Sequence, residues 1–363
     1  MRILRLTYIL AVCLSASSML AAGSIDILLH HPVTSTANIT LLVQDLESGK
    51  IIDSYRPKNV APPASVMKLL PTATALETLG ADYRFSTYIE YSGKIEDGVL
   101  HGDLYVRGTG DPTLGSQKVG DRNLLNRWVR AVREADIRKI DGRVIADLSY
   151  FDADAINPGW IWEDIGNYYA PGIYALSYMD NTMNVVLRSG AVGTIAEVQY
   201  TMPEVPGIKF DNHIRCTTIT HDGAFVHGAA YNYTRYLTGS VPSNQGSFGV
   251  QGDLPNPGLL LVQHFSKKME DSGITITAEP TYISEADGVN RTVLYTWQSP
   301  PLSEIIMETN IHSNNMYAES LFRTFGSRYS LPCTIHNSSD FEKAYWLRGG
   351  EDLYSARTVA GRG

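Results

Sequence analysis

Pro62-Pro63-Ala64-Ser65-Val66-Met67-Lys68-Leu69-Leu70 is the stretch on which the reading of this chain turns. The two prolines break regular structure and suit a helix that begins near Ala64 or Ser65. From there to Leu79, Met67, Leu70, Ala73 or Thr74, and Leu76 recur at helical spacing as the expected inward face, and Gly80 closes the element. Residues three apart share a helix face, so the Ser65 hydroxyl and the Lys68 amine come within hydrogen-bond reach. Serine is a weak nucleophile until a neighbouring base takes its proton, and a lysine is such a base when burial or nearby cations lower its pKa. A helix start adds backbone N–H groups and the positive end of the dipole, which suit an oxyanion. This is the only Ser-x-x-Lys in the chain. A chain of this length holds roughly one such tetrad by chance, so by itself it also reads as an N-cap serine beside a solvated lysine.

Just upstream, residues 39–46 read as a buried strand, Glu47-Ser48-Gly49-Lys50 as a turn and residues 51–55 as a second strand. A strand pair followed by a buried helix is the skeleton of a sheet with helices on its face. Downstream the character changes. Residues 86–91 and 99–107 suggest strands joined by glycine turns, and 185–187, 197–201 and 217–219 further short strands. Residues 123–134 form an amphipathic helix with Leu125, Trp128, Val129 and Val132 inward, while 260–271 and 302–325 return to helical periodicity. The span from about 84 to 296 is therefore mostly β.

Ser313-Asn314-Asn315, the only Ser-x-Asn, falls between two helical stretches. On a tight turn its hydroxyl can pass a proton while the Asn315 carboxamide holds a substrate amide. Ser and Asn are also common turn and cap residues, so this motif too is weak alone. Together, Ser-x-x-Lys and Ser-x-Asn are the first two motifs of penicillin-recognising acyl-transfer enzymes.

With 363 residues, 44% of them hydrophobic and 19% charged, the chain is long enough for two or three folding units with a sizeable core. A net charge of −8 and no Lys/Arg block leave nothing that suggests nucleic acid. Arg2 and Arg5, an apolar run from Leu6 to Leu14 and small residues through Gly23 read as a secretory signal over residues 1–23, too short for a stable membrane span. Beyond it, Cys216 and Cys333 are too few and too far apart for a disulfide framework, and independent buried thiols are expected. No His/Cys/Asp cluster has metal-ligand spacing, and the reading needs no cofactor.

Four ordered blocks carry a family resemblance. The first is Pro62 to Leu70. The second is Gly102-Asp103-Leu104, followed by Gly108-Thr109-Gly110-Asp111-Pro112-Thr113-Leu114. The third is Gly159-Trp160-Ile161-Trp162-Glu163-Asp164 with Tyr169-Ala170-Pro171. The fourth runs from Ser299-Pro300-Pro301-Leu302 through Ser313-Asn314-Asn315 to Ala318-Glu319-Ser320-Leu321. In these the chain resembles the class C low-molecular-mass penicillin-binding proteins, serine D-alanyl-D-alanine carboxypeptidases and endopeptidases.

The resemblance implies an α/β fold: a serine β-lactamase/DD-peptidase-like catalytic domain, a sheet flanked by helices, interrupted by β-rich inserted domains. The expected layout is a signal at 1–23, the catalytic domain at 24–84 and 297–363, and the insertion at 85–296. It implies Ser65 as nucleophile, Lys68 as its base, Ser313 as proton relay and Asn315 as substrate holder. Asp164 and Tyr169 would contact the free amino end of a peptidoglycan side chain; the plain alternative makes them a turn cap and a core residue. The Gly-Asp-Pro-Thr block reads as a structural turn. Peptidoglycan peptides are the expected substrate, β-lactams the expected covalent inhibitors and the periplasm the expected location.

The family's third motif, Lys-Thr-Gly or His-Thr-Gly, has no match; Leu237-Thr238-Gly239 lacks the cation. Gly349-Gly350-Glu351-Asp352-Leu353-Tyr354-Ser355 resembles the approach to a further family block, which would make the chain a truncated member with little activity of its own. A non-catalytic envelope protein that binds peptidoglycan or a partner is the rival reading, and a penicillin-hydrolysing or esterase relative ranks last.

Overall fold

The computed structural model describes residues 31–351 together with positions 29 and 353, so the signal expected at 1–23 lies outside the described residues, as do positions 352, 354 and 355 of the final block. The chain divides into two compact units, Met1–Pro63 and Ala64–Gly363.

In the first unit, β1 (Leu41–Gln44) and β2 (Ile51–Tyr55) form an antiparallel hairpin with an irregularity between Val43 and Gln44. Asp45 holds the turn by accepting from the Ser48 N–H at 2.8 Å, and Gly49 takes the positive φ, 69°, that closes it. These hydrogen bonds from Ser48 hold the Asp45 carboxyl below its usual range. The strand expected to be buried is instead open: Leu42, Val43, Ile51 and Ile52 are all exposed. A two-stranded ribbon has two faces and, among the described residues of its own unit, no third element covers either.

The second unit opens with a 3-10 turn, Ala64–Lys68, that runs into α1 (Leu69–Leu79). Then come β3 (Ser86–Tyr91), β4 (Lys94–Glu96), β5 (Val99–His101), β6 (Leu104–Arg107), α2 (Leu124–Glu134), β7 (Lys139–Ile140) and β8 (Val144–Asp147). A run of strands follows: β9 (Thr182–Arg188), β10 (Glu197–Met202), β11 (Lys209–Asn212), β12 (Arg215–Thr217), β13 (Gly223–His227), β14 (Thr234–Pro242) and β15 (Phe248–Asp253). Finally α3 (Pro257–Asp271), β16 (Thr275–Ile276), β17 (Thr281–Ile283) and β18 (Thr292–Gln298) lead to α4 (Leu302–Ile311), α5 (Asn315–Thr324) and α6 (Ile335–Arg348).

The strands of this unit assort into a five-stranded sheet β17-β8-β6-β3-β18, a small sheet β16-β7-β5-β4, a three-stranded sheet β10-β9-β15, and a sheet in which β14 pairs with β11, β12 and β13. One core fills the β-rich part. Trp128 and Val132 of α2 and Leu261, Phe265 and Met269 of α3 pack with Ile89, Val106 and Ala146 of the five-stranded sheet. α3 starts earlier than its apolar periodicity suggests, because Pro257 suits the first helical position and the Asn256 carboxamide oxygen caps Leu259 N–H at 2.9 Å.

A second core holds the helices. Ala75 of α1, Leu302 and Ile305 of α4, and Tyr317 and Leu321 of α5 pack together, and Phe151, Trp160, Ala170 and Ile173 complete the cluster. The loop between β8 and β9 is thus anchored on the helices.

α1 keeps its expected face only in part: Thr74 is buried as expected, while Met67 and Leu70 are half-buried. Lys68, Pro71, Thr72, Thr74 and Ala75 are buried, while Leu76 is 43% exposed. Two causes act together. The 3-10 entry advances the chain at three residues per turn rather than 3.6, which rotates the phase of all that follows. The threonines also find buried partners: Thr72 meets Asn310 of α4 at 3.3 Å, and Thr74 meets Glu342 at 3.2 Å and Trp346 at 2.9 Å on α6. α2 agrees better: Leu124, Trp128, Val129, Ala131 and Val132 are buried, with Leu125 at the margin.

Candidate active site

In a 3-10 turn, side chains at i and i+3 eclipse, so Ser65 lies directly above Lys68. Lys68 Nζ donates to Ser65 Oγ at 3.0 Å. The serine is exposed and the lysine only 2% exposed, so the hydroxyl faces outward while the amine approaches it from the protein side. Ala64 takes a positive φ, 47°, immediately before the pair.

Ser313 and its neighbours occupy the turn between α4 and α5. Ser313 adopts φ 55°. Asn314 caps α5 by accepting from the Tyr317 N–H at 3.2 Å, and its own N–H donates to Thr309 O at 3.0 Å. That leaves Asn315 as the first residue of α5, and its Nδ2 donates to the Tyr169 carbonyl at 2.7 Å. The Thr72–Asn310 contact ties this turn to the helix that follows Lys68.

Tyr169 ends a run of tight turns in which Asp164 N–H donates to Ile161 O and Asn167 N–H to Asp164 O. The Tyr169 hydroxyl accepts from Asn167 Nδ2 at 3.3 Å, and burial, then the adjacent Asp164 carboxylate, push its pKa up. Asp164 and Tyr169, which the family resemblance named together, are therefore neighbours.

A cleft of about 970 Å³ opens at this junction, with Tyr168, Tyr169, Ser313, Asn315, His312 and Lys118 in its wall. The structure thus gathers Ser313, Asn315 and Tyr169 on one cleft. It joins Ser65 to Lys68 through their own bond, and that pair does not line the cleft.

Several residues here escaped the sequence reading. The Tyr317 hydroxyl donates to Ser116 Oγ at 2.8 Å, and Ser116 donates on to Asp180 Oδ1 at 2.8 Å, with Lys118 Nζ 3.9 Å from the same carboxylate. Burial and the Asp180 charge push the Tyr317 hydroxyl far up. His312 Nδ1 lies 2.7 Å from the Glu308 carboxylate beside Ser313. No spacing rule links positions so distant in sequence; the one usable signal was that Ser116 directly follows the Gly-Asp-Pro-Thr-Leu-Gly block.

Within that block Asp111 Oδ1 accepts from Thr113 N–H at 2.8 Å and from its hydroxyl at 2.7 Å, the bonding of a structural turn. Full burial pushes the Asp111 carboxyl up to about 6. Cys216 and Cys333 are separate buried thiols. Among the described residues no group of three or more His, Cys, Asp or Glu is placed to hold a metal, and no helix is long and apolar enough to cross a membrane.

Comparison with known proteins gives the family and the fold. The chain is 26% identical over 315 residues to a D-alanyl-D-alanine carboxypeptidase of an Actinomadura species, covering 83% of this chain and 56% of that one. It is 22% identical over 295 residues to D-alanyl-D-alanine carboxypeptidase DacB of Haemophilus influenzae, covering 81% and 60%. The chain therefore spans a little over half the length of these relatives. Its fold is that of penicillin-binding protein 4 of H. influenzae, with a TM-score of 0.75 at 21% identity over 90% of this chain and 70% of the other. It also matches that protein complexed with a β-lactam, with a TM-score of 0.70. That fold is the α/β one expected above. The D-Ala-D-Ala carboxypeptidase 3 (S13) family model matches residues 21–344, and the chain belongs to that family.

Proposed function

We propose that the protein is a serine D-Ala-D-Ala carboxypeptidase or endopeptidase that acts on peptidoglycan peptides through an acyl-enzyme and is acylated by β-lactams. The observation that carries this reading is the 3.0 Å contact between an exposed serine hydroxyl and a buried lysine amine. In the proposed reaction, neutral Lys68 takes the Ser65 proton as Oγ attacks the carbonyl between two D-alanines. The proton passes by way of the Ser313 hydroxyl to the departing amine of the terminal D-alanine, leaving the peptide as an ester on Ser65. Water then adds to the ester, releases the shortened peptide and returns a proton to Ser65 Oγ. Asn315, whose Nδ2 is committed to Tyr169, offers Oδ1 to a substrate N–H. Asp164 and Tyr169 select a side-chain ammonium by charge and an aromatic wall.

The same reading makes residues 1–23 an export signal to the periplasm. It divides the rest into a catalytic domain, 24–84 and 297–363, and an insertion, 85–296. No metal or organic cofactor takes part in it. The test is covalent labelling of the protein, produced from its own gene, with a fluorescent penicillin. Label on the parent and none on Ser65→Ala is expected. Equal label on both would refute the assignment, and an unlabelled parent would refute the function.

A further inference from the structure

Side chains alternate along a strand, and β13 and β14 use the alternation to bury Val226, Leu237 and Val241 while turning Phe225, His227, Tyr236 and Thr238 to the opposite face. Register places Tyr236 between His227 on β13 and Asp211 on β11, so the three form one row across the sheet. Trp162 extends this row from the loop between β8 and β9. Its ring centroid is 6.0 Å from that of His227, with 6° between the planes. Phe225 lies 6.2 Å from the same imidazole at 17°, and Tyr236 6.2 Å away at 37°. His213, bonded through Nε2 to Asp211 at 2.8 Å, stands 5.1 Å from Tyr236. Rings of a core would be covered, yet Trp162 is 66% exposed, Tyr236 43% and Phe225 41%. Single exposed apolar residues are ordinary; a connected ring surface marks a place of contact.

We infer that this surface binds the sugar rings of the glycan strand that carries the peptides, an inference that rests on the peptidase reading. A pyranose presents a face of weakly positive C–H groups, which packs on the negative face of an aromatic ring. Its rim is hydroxyl and needs donors and acceptors at the edges of the platform. The Asp211 carboxylate, the Thr238 hydroxyl and the His213 imidazole stand there, and His227 Nδ1, almost wholly buried within the row, has no hydrogen-bond partner among the described residues. Charge argues against an anionic ligand: the exposed ions beside the row include Asp211 and Lys209 on β11 and Glu163 next to Trp162, which make no cationic cluster. An anionic membrane surface or an acidic peptide would call for a cationic cluster instead.

The position fits as well. The loop that contributes Trp162 is pinned to this region by Gly228 N–H donating to Ile165 O and Asp253 N–H donating to Gly166 O. The same loop ends at Tyr169, whose carbonyl Asn315 holds. Seven residues of chain bound the separation of Trp162 and Tyr169 to about 25 Å. The ring surface and the cleft-wall residue Tyr169 are therefore close enough for one glycan with its attached peptide to reach both.

The test uses soluble glycan oligosaccharides stripped of peptide, titrated against the protein by calorimetry. The parent binds them; Trp162→Ala and the double substitution Phe225→Ala/Tyr236→Ala each weaken binding roughly tenfold, with thermal unfolding and penicillin labelling at Ser65 unchanged. Failure of the parent to bind stripped glycan, equal binding by the variants, or binding that follows the peptide alone would each overturn the inference. Penicillin labelling is scored separately on the parent, so a parent that binds glycan but takes no label would discard the peptidase reading and leave the platform standing.

Discussion

Ser65 and Ser313 each stand just ahead of a helix, yet they are held in opposite ways. The Ser65 segment closes on itself: its bond runs to a residue three positions on, and Val66 and Leu69 beside it are exposed. The Ser313 turn is held from afar. Asn315 reaches Tyr169 across 146 positions, and Tyr317 reaches Ser116 across 201. The first geometry follows from one turn of backbone and survives wherever that turn forms. The second exists only when the loop between β8 and β9 and the Ser116 segment are docked on α5. Chemistry at the first end should therefore be lost without loss of structure, and at the second end the two should fall together.

The largest expected effect is at the first end. Lys68→Met keeps length and burial but removes the base, so penicillin acylation should slow by about 10²–10⁴-fold. The melting temperature should stay within about 3 °C of the parent. Acylation at the parental rate would remove Lys68 from the chemistry.

Next comes pH, through a long-range support of the nucleophile helix that titrates. Burial, and then the charge of Glu319, push the Glu342 carboxyl up to about 7, where it meets Thr74 of α1. Its folded pKa lies above the ordinary 4.5. The protonated form therefore contributes stability that is complete below about 4.5 and is lost as pH rises to about 7. The change across that window is up to about 3 kcal/mol. Asp111, pushed up to about 6 by burial, acts with the same sign. Denaturant unfolding from pH 4 to 8 should show a decline that is shallower in Glu342→Gln. Identical slopes in the two proteins would remove Glu342 as the source.

At the second end, Asp164→Asn should weaken cleavage of peptides with a free side-chain amine by about 1.5–3 kcal/mol in kcat/KM, leaving simple esters alone. Parallel losses on both substrates would make Asp164 structural. Asn315→Ala should be the sharpest probe of the contrast. Leaving the Tyr169 carbonyl without its donor costs about 1–3 kcal/mol of stability, and acylation should fall in the same variant. If Asn315→Ala melts like the parent, the two ends are not held differently after all.

Local pairs were legible in the sequence and long-range ones were not. The Ser65–Lys68 contact, the Ser313 turn, the Gly-Asp-Pro-Thr turn at Asp111 and strands such as β2 and β3 all depend on spacing within a few residues. The pairing of Asp164 with Tyr169 came from the family resemblance rather than from spacing. The inward face of α1 was right at Thr74 and wrong at Leu76, because apolar periodicity assumes that a helix buries its leucines. Here Thr72 and Thr74 are buried against polar partners on α4 and α6, and Leu76 stays out. Residues 39–46 were misread for a related reason: an apolar strand is buried only if something covers it, and the run itself cannot say what does.

By itself, then, the sequence determined what short-range geometry dictates: which serine meets which lysine, where helices stop, and, through four ordered blocks, the family. Only the tertiary structure decided that the Asn315 amide holds the Tyr169 carbonyl, that Tyr317, Ser116 and Asp180 brace the turn, and that Trp162 lies with Phe225, His227 and Tyr236 as one surface. The physical reason is range. Backbone periodicity correlates positions three or four apart in a helix and two apart in a strand. Contacts across a hundred residues or more arise from how separate elements pack, and no local pattern encodes them.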